Sequence, residues 1–558
     1  MIDNAGILSK LSLYAKLAEL YEKNPFRYKA FSTAAFNLKK VKEPYSEMSK
    51  EALLAIQGVG KSVVDAINEI IATDTFTDLQ ELLEITPEGI VQMLKIKGLG
   101  PKKVSTIWHE LQIDTVADLL DASRQNRLVE VKGFGLKTQA DIIRAIEFSF
   151  TANGKWHFAR MLEPATHFLE GLKRTFIGSQ IEFCGEFRRQ CEIIEKIEIL
   201  TTASQLTVQD YLQNENYEIL NNQENCIQTL VLGQFPLSIF FTNELKFNKE
   251  LFEKTGSSAH LESIEYSNNP MDLKETEEEY YHRRKLNFVL PEQREGLFEL
   301  EPDFPKEEFI EFWHLKGVLH NHTTYSDGLN TLEEMAEFAK SEKYEYLGIC
   351  DHSKSAGYAN GLSEERLLLQ MKEIDALNEK MAPFKIFKGV ESDILNDGRL
   401  DYPDDILKLL DFVVASIHSN LKMNQDKAHE RLIKAIENLY TTILGHPTGR
   451  LLLIREGYPI DHKYIIDACA ANQVVIELNA HPYRLDIDWR WIYYAQNKGV
   501  LISINPDAHE KSGYHDMYFG TMAARKGGLL TSNTLNALNR ESFEAFLESK
   551  KRKSMNLA

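Results

Sequence analysis

The sequence predicts three successive architectures in one chain: an all-α N-terminal region, an α+β middle and a C-terminal α/β barrel. Three observations carry that reading. One glycine turn recurs three times in the first 150 residues. From about residue 154, apolar strand-like runs appear between helical segments. After Trp313, seven short apolar runs alternate with helical stretches, and most of them end in a histidine or a carboxylate. The length of 558 residues exceeds what a single core supports, so several domains are expected. Hydrophobic residues at 43% and charged residues at 26% are ordinary for a globular protein. No run approaches the roughly 18 apolar residues of a membrane span, which excludes a membrane protein.

The N-terminal turns read Ile56-Gln57-Gly58-Val59-Gly60-Lys61, Ile96-Lys97-Gly98-Leu99-Gly100-Pro101-Lys102 and Val131-Lys132-Gly133-Phe134-Gly135-Leu136-Lys137. In each, Gly-apolar-Gly precedes an apolar periodic segment. The pattern resembles the helix-hairpin-helix DNA-binding module. Two glycines let backbone approach a phosphate, the next helix offers free N–H groups and its positive dipole end, and a lysine adds charge. Gly58, Gly60 and Lys61, then Gly98, Gly100 and Lys102, then Gly133, Gly135 and Lys137 are therefore the expected backbone-gripping positions on DNA, without sequence specificity. The net charge of −19 argues against a protein that coats nucleic acid through bulk electrostatics. Residues 1–150, however, carry 19 basic and 20 acidic side chains, so this near-neutral region is where DNA would bind.

In the middle, strands are expected at 181–184, 193–200, 229–232 and 237–241, and the acidic stretch 268–285 as an exposed helix or connection. A segment with Pro302 and Pro305 then leads to Trp313. Beyond it, strands are expected at 317–320, 346–351, 386–391, 412–418, 442–446, 474–479 and 501–505, an alternation that argues for a parallel sheet closed or nearly closed into a barrel. Candidate ligands fall at the C-terminal ends of these strands, where barrel enzymes assemble their chemistry. They are His320, His322 and Asp327; His352; Glu391; His418; His446; and Asp507 with His509. Eleven of the 16 histidines lie from His314 onward. Six imidazoles and three carboxylates are too many for one tetrahedral ion, so two or three divalent metals are expected, with Mn, Zn or Fe suiting the donors. Such ions polarise phosphoryl oxygens and ionise water near neutral pH. Asp327 and Glu391, with Arg450 and Arg484 as phosphate-steadying arginines, are the expected catalytic groups. His314, His429, His462, His481 and His515 lack the strand-end position and are expected to be structural. The five cysteines form no CxxC pair, and the N-terminus lacks the pattern of a secretory signal, so reduced thiols and a cytoplasmic location are expected.

Residues 319–328, Leu-His-Asn-His-Thr-Thr-Tyr-Ser-Asp-Gly, with Gly445-His446-Pro447-Thr448-Gly449-Arg450 and Glu477-Leu478-Asn479-Ala480, resemble the PHP (polymerase and histidinol phosphatase) domain. The whole chain resembles bacterial family X DNA polymerases that carry a C-terminal PHP domain. That resemblance implies N-terminal helix-hairpin-helix domains, an α+β nucleotidyltransferase-like palm and thumb, and a distorted, TIM-like PHP barrel with up to three metals. The implied segments are 1–85 (helical, with a hairpin), 86–150 (fingers-like hairpins), 151–245 (palm-like), 246–300 (thumb-like), 301–315 (linker) and 316–558 (PHP). It also implies 3′-5′ exonuclease activity, abasic-site cleavage and 3′-phosphate removal at DNA ends, gaps, nicks or abasic sites; it leaves the oligomeric state open.

The family's polymerase signature fails here. The serine of its Gly-Ser turn is Glu186, its two strand aspartates are Lys196 and Glu198, and its third aspartate aligns with Ser238. A lysine at a metal-ligand position removes an oxygen donor and repels a divalent ion, so loss of polymerase activity is expected. Thr255-Gly256-Ser257, His260 and residues 290–295 persist. The amine nucleophile of lyase-competent members aligns with Ala66, which excludes Schiff-base chemistry there. Asn24 to Phe31 keeps an aromatic and basic mixture able to stack on a DNA end or to pack a helix. The competing functions are an active family X polymerase, a histidinol-phosphatase-type enzyme and a non-catalytic DNA-binding scaffold.

Overall fold

The computed structural model describes residues 4–39, 41, 43–96, 98–129, 131–151 and 154–557, with the side chains of all but 5, 148–151 and 552–557. Lys97 of the second glycine turn lies outside the described residues. The chain divides into two compact units, Met1–Ser149 and Phe150–Ala558. Among the described residues no helix is long and apolar enough to cross a membrane, and the five cysteines are free thiols.

The first unit is helical, and its three glycine turns have the same construction. Gly58, Gly98 and Gly133 take φ of 81°, 92° and 100°, a left-handed conformation that a side chain strains. Val59, Leu99 and Phe134, each next in sequence, are buried and anchor the turn. The second glycine of each pair then opens a helix: Gly60 before Lys61–Thr73, Gly100 before Pro101–His109 and Gly135 before Leu136–Thr151. Among the described residues no side chain caps the helix start at Gly60 or Gly100, and within the first turn Val63 N and Val104 N donate back to the Gly60 and Gly100 carbonyls at 3.0 Å each.

The second unit begins with seven strands: β1 (Trp156–His157), β2 (Ile181–Phe183), β3 (Ile193–Ile194), β4 (Ile197–Thr201), β5 (Ile219–Gln223), β6 (Cys226–Val231) and β7 (Phe235–Phe241). Five form a mixed sheet in the order β2-β4-β7-β6-β5, with β4 and β7 parallel, while β1 pairs with β3. The single strand expected at 193–200 is therefore two strands of different sheets, parted at Glu195-Lys196. β5 was not expected; its Asn221, Asn222 and Gln223 lack the apolar alternation because the strand lies at a solvated sheet edge. The helix Phe158–Thr175 buries Met161, Phe168 and Leu172 in the core of this sheet. The acidic stretch also departs from expectation. It holds a helix, Glu277–Arg283, with a Thr276–Glu279 capping box, and Glu277 turns inward to pair with Arg188 and with the fully buried Arg294.

The barrel follows as β8 (Gly317–Val318), β9 (Tyr346–Ile349), β10 (Lys385–Lys388), β11 (Glu391–Asp393), β12 (Val414–Ser416), β13 (Ile443–Leu444), β14 (Val475–Asn479) and β15 (Ile502–Asn505). All are parallel, in two arcs, β10-β9-β8 and β11-β12-β13-β14-β15. Two isolated bridges join the arcs, His352 with Glu391 and Asn321 with Ala508, so the seams close at the candidate ligands. The run expected at 386–391 is bent into β10 and β11 at Gly389. A Cβ there would stand 2.5 Å from the Phe412 ring, and one on Gly348 2.4 Å from it. Phe412 fills the interior with Tyr346, Phe387, Ile443 and Val475, and Phe543 and Leu547 of the C-terminal helix complete that cluster. The alternate residues Leu347, Ile349, Val413, Leu444, Ile476 and Ile502 face the surrounding helices, the period-2 division of a two-sided barrel wall. Towards the C-terminal rim the interior turns polar, with Ser416, Glu477, Asn479 and Asn505 buried.

Candidate metal centre

The polar rim is held open by a carboxylate knot. Asp351, at the end of β9, accepts from Thr323 N and Oγ1 at 2.8 Å each and from Ser326 N at 3.1 Å. This fixes the turn that presents Asp327.

All nine strand-end residues converge. His322, Asp327, His352 and His509 form one group with donor atoms within 4.8 Å of one another; His320, His322 and Glu391 form a second, and His352, Glu391 and His418 a third. Glu391 stands at the junction. Its Oε1 is 3.3 Å from His320 Nε2, 3.1 Å from His418 Nε2 and 3.0 Å from His446 Nε2, while Oε2 is 2.9 Å from His352 Nδ1. Asp507 Oδ1 is 3.1 Å from His322 Nε2 and 3.6 Å from His320 Nε2.

The outer nitrogens are held from behind. His320 Nδ1 donates to Glu477 at 2.7 Å, His418 Nδ1 to Asp393, and His509 Nδ1 to the Asp507 carbonyl at 3.0 Å. Each ring is thereby oriented with Nε2 facing the cluster, as metal-binding histidines are. Glu477 also accepts from Asn505 Nδ2 and His446 N. Sequence reasoning assigned no role to Asp393 or Glu477. Asp393 was legible two residues past Glu391, on the same face of β11.

The donor set fits divalent cations. His320 Nε2, His322 Nδ1, both His352 ring nitrogens, His509 Nε2, Asp327 Oδ2 and Glu391 Oε2 are buried and carry no hydrogen bond. Each such atom costs about 1–3 kcal/mol, so seven around one carboxylate point to ions that satisfy them together. The field has the matching sign. Burial alone would raise the Glu391 carboxyl, but the imidazoles of His418, His320 and His352 hold it well below the usual carboxylate range. Burial would lower His418, yet Glu391 and Asp393 push it up to about 10. Burial and the neighbouring His509 and His352 hold His322 at about 3, a neutral donor. A site that favours positive charge this strongly at His418 also favours a metal ion.

Arg484 is buried at the centre, with Nε 4.0 Å from Asp507 Oδ2. Arg450 is not placed to steady a phosphate. Its guanidinium donates to the Arg484 carbonyl at 2.9 Å, to the Leu485 carbonyl at 2.5 Å and to Asp488, which makes it a clamp on the neighbouring loop. The histidines set apart as structural have packing roles. His429 accepts from Asp461 N, His462 stacks on Trp491 with centroids 4.8 Å apart, and His515 packs edge-on against Phe338.

Comparison with known proteins places this geometry. Residues 319–481 match the PHP domain, residues 2–76 a helix-hairpin-helix domain and residues 90–147 a SAM-like helix-hairpin-helix tandem. The chain is 34% identical to the DNA polymerase/3′-5′ exonuclease PolX of Bacillus subtilis (strain 168) over 97% of its own length and 99% of that protein's. The chain belongs to the PolX family. The chain is further 29% identical to a probable phosphatase of Thermoanaerobacter sp. (strain X514), across 43% of this chain and 98% of that protein. It is 30% identical to a probable phosphatase of Caldicellulosiruptor bescii across 36% of this chain and 81% of that one. The PHP match ends at residue 481, so Asp507, His509 and Arg484 join this PolX-family site from beyond it.

In this PolX-family chain two of the residues that the sequence set against the polymerase signature, Lys196 and Glu198, form an ion pair. Lys196 Nζ lies 2.9 Å from Glu198 Oε1, and Glu198 is paired across β4 and β7 with the buried Ser238. Glu186 Oε2 accepts from Glu195 N. Arg188 binds Glu277 and Arg189 binds Glu295, so both arginines of the turn are neutralised within the fold. In the first unit, Lys61, Lys102 and Lys137 are exposed beside their glycine turns, while Ala66 is buried. The segment from Asn24 divides its labour: Phe31 packs in the core and Phe26 is 87% exposed.

Proposed function

We propose that the chain is a metal-dependent phosphoesterase that processes DNA ends, acting as a 3′-5′ exonuclease with abasic-site cleavage and 3′-phosphate removal at the same centre, in cytoplasmic DNA repair. The observation that carries this reading is the convergence of His320, His322, Asp327, His352, Glu391, His418, His446, Asp507 and His509 around buried donor atoms without hydrogen bonds. Two or three ions of Mn, Zn or Fe would suit these ligands, and Glu391 belongs to two of the groups that could hold them. Bound divalent ions supply Lewis acidity and a means of ionising water near neutral pH. The chain's own residues do the rest. Glu477, Asp393 and the Asp507 carbonyl orient the imidazoles, the Asp351 knot presents Asp327, and Arg484 offers a guanidinium to the scissile phosphate.

The three glycine turns grip the DNA backbone without reading sequence, through Gly58, Gly60 and Lys61 and their counterparts at 98–102 and 133–137. Template-directed polymerisation is lost, because Lys196 occupies a ligand position and neutralises Glu198. The chain's functional divisions are 1–85 and 86–150 for DNA gripping, 151–245 and 246–300 as palm-like and thumb-like scaffold, 301–315 as linker and 316–558 as the phosphoesterase.

Incubation of purified protein with 3′-labelled single-stranded, nicked and abasic DNA, beside histidinol phosphate, tests the reading. Nucleotide release that is lost in His320→Ala/His322→Ala, with DNA binding intact, supports it. Turnover of histidinol phosphate alone selects the small-molecule phosphatase, and primer extension sensitive to Glu198→Ala refutes the loss of polymerase chemistry.

A further inference from the structure

The segment after β14, residues 480–491, joins the metal centre to the polymerase-like part of the second unit. Near one end Arg484 stands beside Asp507. At the other end Trp489 Nε1 donates to Glu192 Oε2 at 3.2 Å, and Arg490 Nη1 donates to Glu192 Oε1 at 3.0 Å. The buried Trp489 ring meets two cations, with the Arg490 guanidinium 4.5 Å and Lys526 Nζ 4.9 Å from its centroid. Lys526 in turn donates to the carbonyls of Arg189 and Glu292. A second tether starts at β1. His157 Nε2 donates to the Leu452 carbonyl at 3.0 Å, Leu452 N donates to the Tyr483 carbonyl at 2.7 Å, and the His157 and Tyr483 rings meet edge to face at 4.1 Å.

Between the tethers the backbone is strained. Leu485 has φ of 44°, in the left-handed region that a bulky side chain rarely adopts. Such a conformation costs about 1–3 kcal/mol and persists only where its surroundings impose it. Here they do so through Arg450, which holds the carbonyls of Arg484 and Leu485.

We infer that the polymerase-like core serves as a brace for the phosphoesterase site, with His157 and Glu192 as positioning residues that act through Arg484. The inference rests on the phosphoesterase reading above and gives the core a task that its altered nucleotidyl-transfer positions do not exclude. The contacts described for His157 and Glu192 are with Leu452, Tyr483, Trp489 and Arg490, none of them a candidate ligand. Their substitution therefore moves the arginine and leaves the metals in place.

The test is a double-mutant cycle in the full-length chain, measured on a 3′-fluorescent single-stranded oligonucleotide with metal content and thermal unfolding recorded for each variant. Glu192→Gln/His157→Phe raises KM about five- to tenfold with kcat and metal content within about a factor of two, and the rise disappears when Arg484→Lys is already present. Trp489→Phe keeps the buried ring and removes only the indole donor. It gives a smaller KM rise of the same kind and carries the test should the double variant fold poorly. An unchanged KM in active, folded variants overturns the brace, as does a full, independent effect in the Arg484→Lys background. Wild-type protein inert toward every DNA end refutes the phosphoesterase reading instead.

Discussion

Glu391 lies against five imidazoles and stands where two groups of candidate ligands overlap, so its charge would be felt at more than one bound cation. Behind it, Asp393 holds His418 Nδ1 and accepts from Ser355 Oγ at 2.7 Å. Asp393→Asn keeps the shape but weakens the hold on that imidazole. Metal affinity, read by chelator competition, falls about 10- to 100-fold, with the fold intact. Away from the centre, Glu277 supplies a pH signature. Burial would raise its carboxyl, but Arg294 and Arg188 outweigh burial and hold it at about 2, against 4.5 ordinarily. The resulting stability is present above the unfolded value and lost as pH falls from about 4.5 through about 2; it amounts to on the order of 3 kcal/mol. Glu277→Gln is therefore destabilised relative to wild type at pH 6, and urea unfolding shows the gap narrowing toward pH 3. The convergence of the nine candidate ligands was legible because histidine and carboxylate recur at successive strand ends, which a barrel brings together on one rim. Glu277 was read as solvent-facing because six consecutive polar residues hide one that turns inward, and Arg450 was read as a phosphate ligand because its partners belong to a loop whose path no local pattern encodes.

The glycine turns were the most legible elements. Their repeat fixes left-handed φ at Gly58, Gly98 and Gly133 and buries the residue after each. Lys61→Ala, Lys102→Ala and Lys137→Ala combined weaken DNA binding across all sequences and reduce the slope of log affinity against log salt by about one for each lysine that meets a phosphate. β5 escaped notice because an edge strand of asparagine and glutamine carries no period-2 signal, and the β10–β11 break because it depends on Phe412 packing over Gly389 from a distant strand. Phe412→Ala opens the barrel interior beneath the metal rim and costs about 3–5 kcal/mol in denaturant unfolding.

Across the whole molecule, charge and chemistry are segregated. The near-neutral helical unit carries the three turns, and the strongly acidic remainder carries the candidate metal ligands. The three architectures were legible in order because each has its own periodicity. The attachment of the β1–β7 region to the barrel was not, since Glu192 to Arg490 and His157 to Leu452 are contacts about 300 residues apart. The central claim is that nine strand-end side chains hold a polynuclear metal site. Anomalous diffraction from crystals soaked in manganese tests it most directly. The account predicts two or three peaks, each about 2.0–2.3 Å from nitrogen or oxygen atoms of those nine residues, with Glu391 bridging two of them. A single peak elsewhere, or none within reach of Glu391, would contradict it.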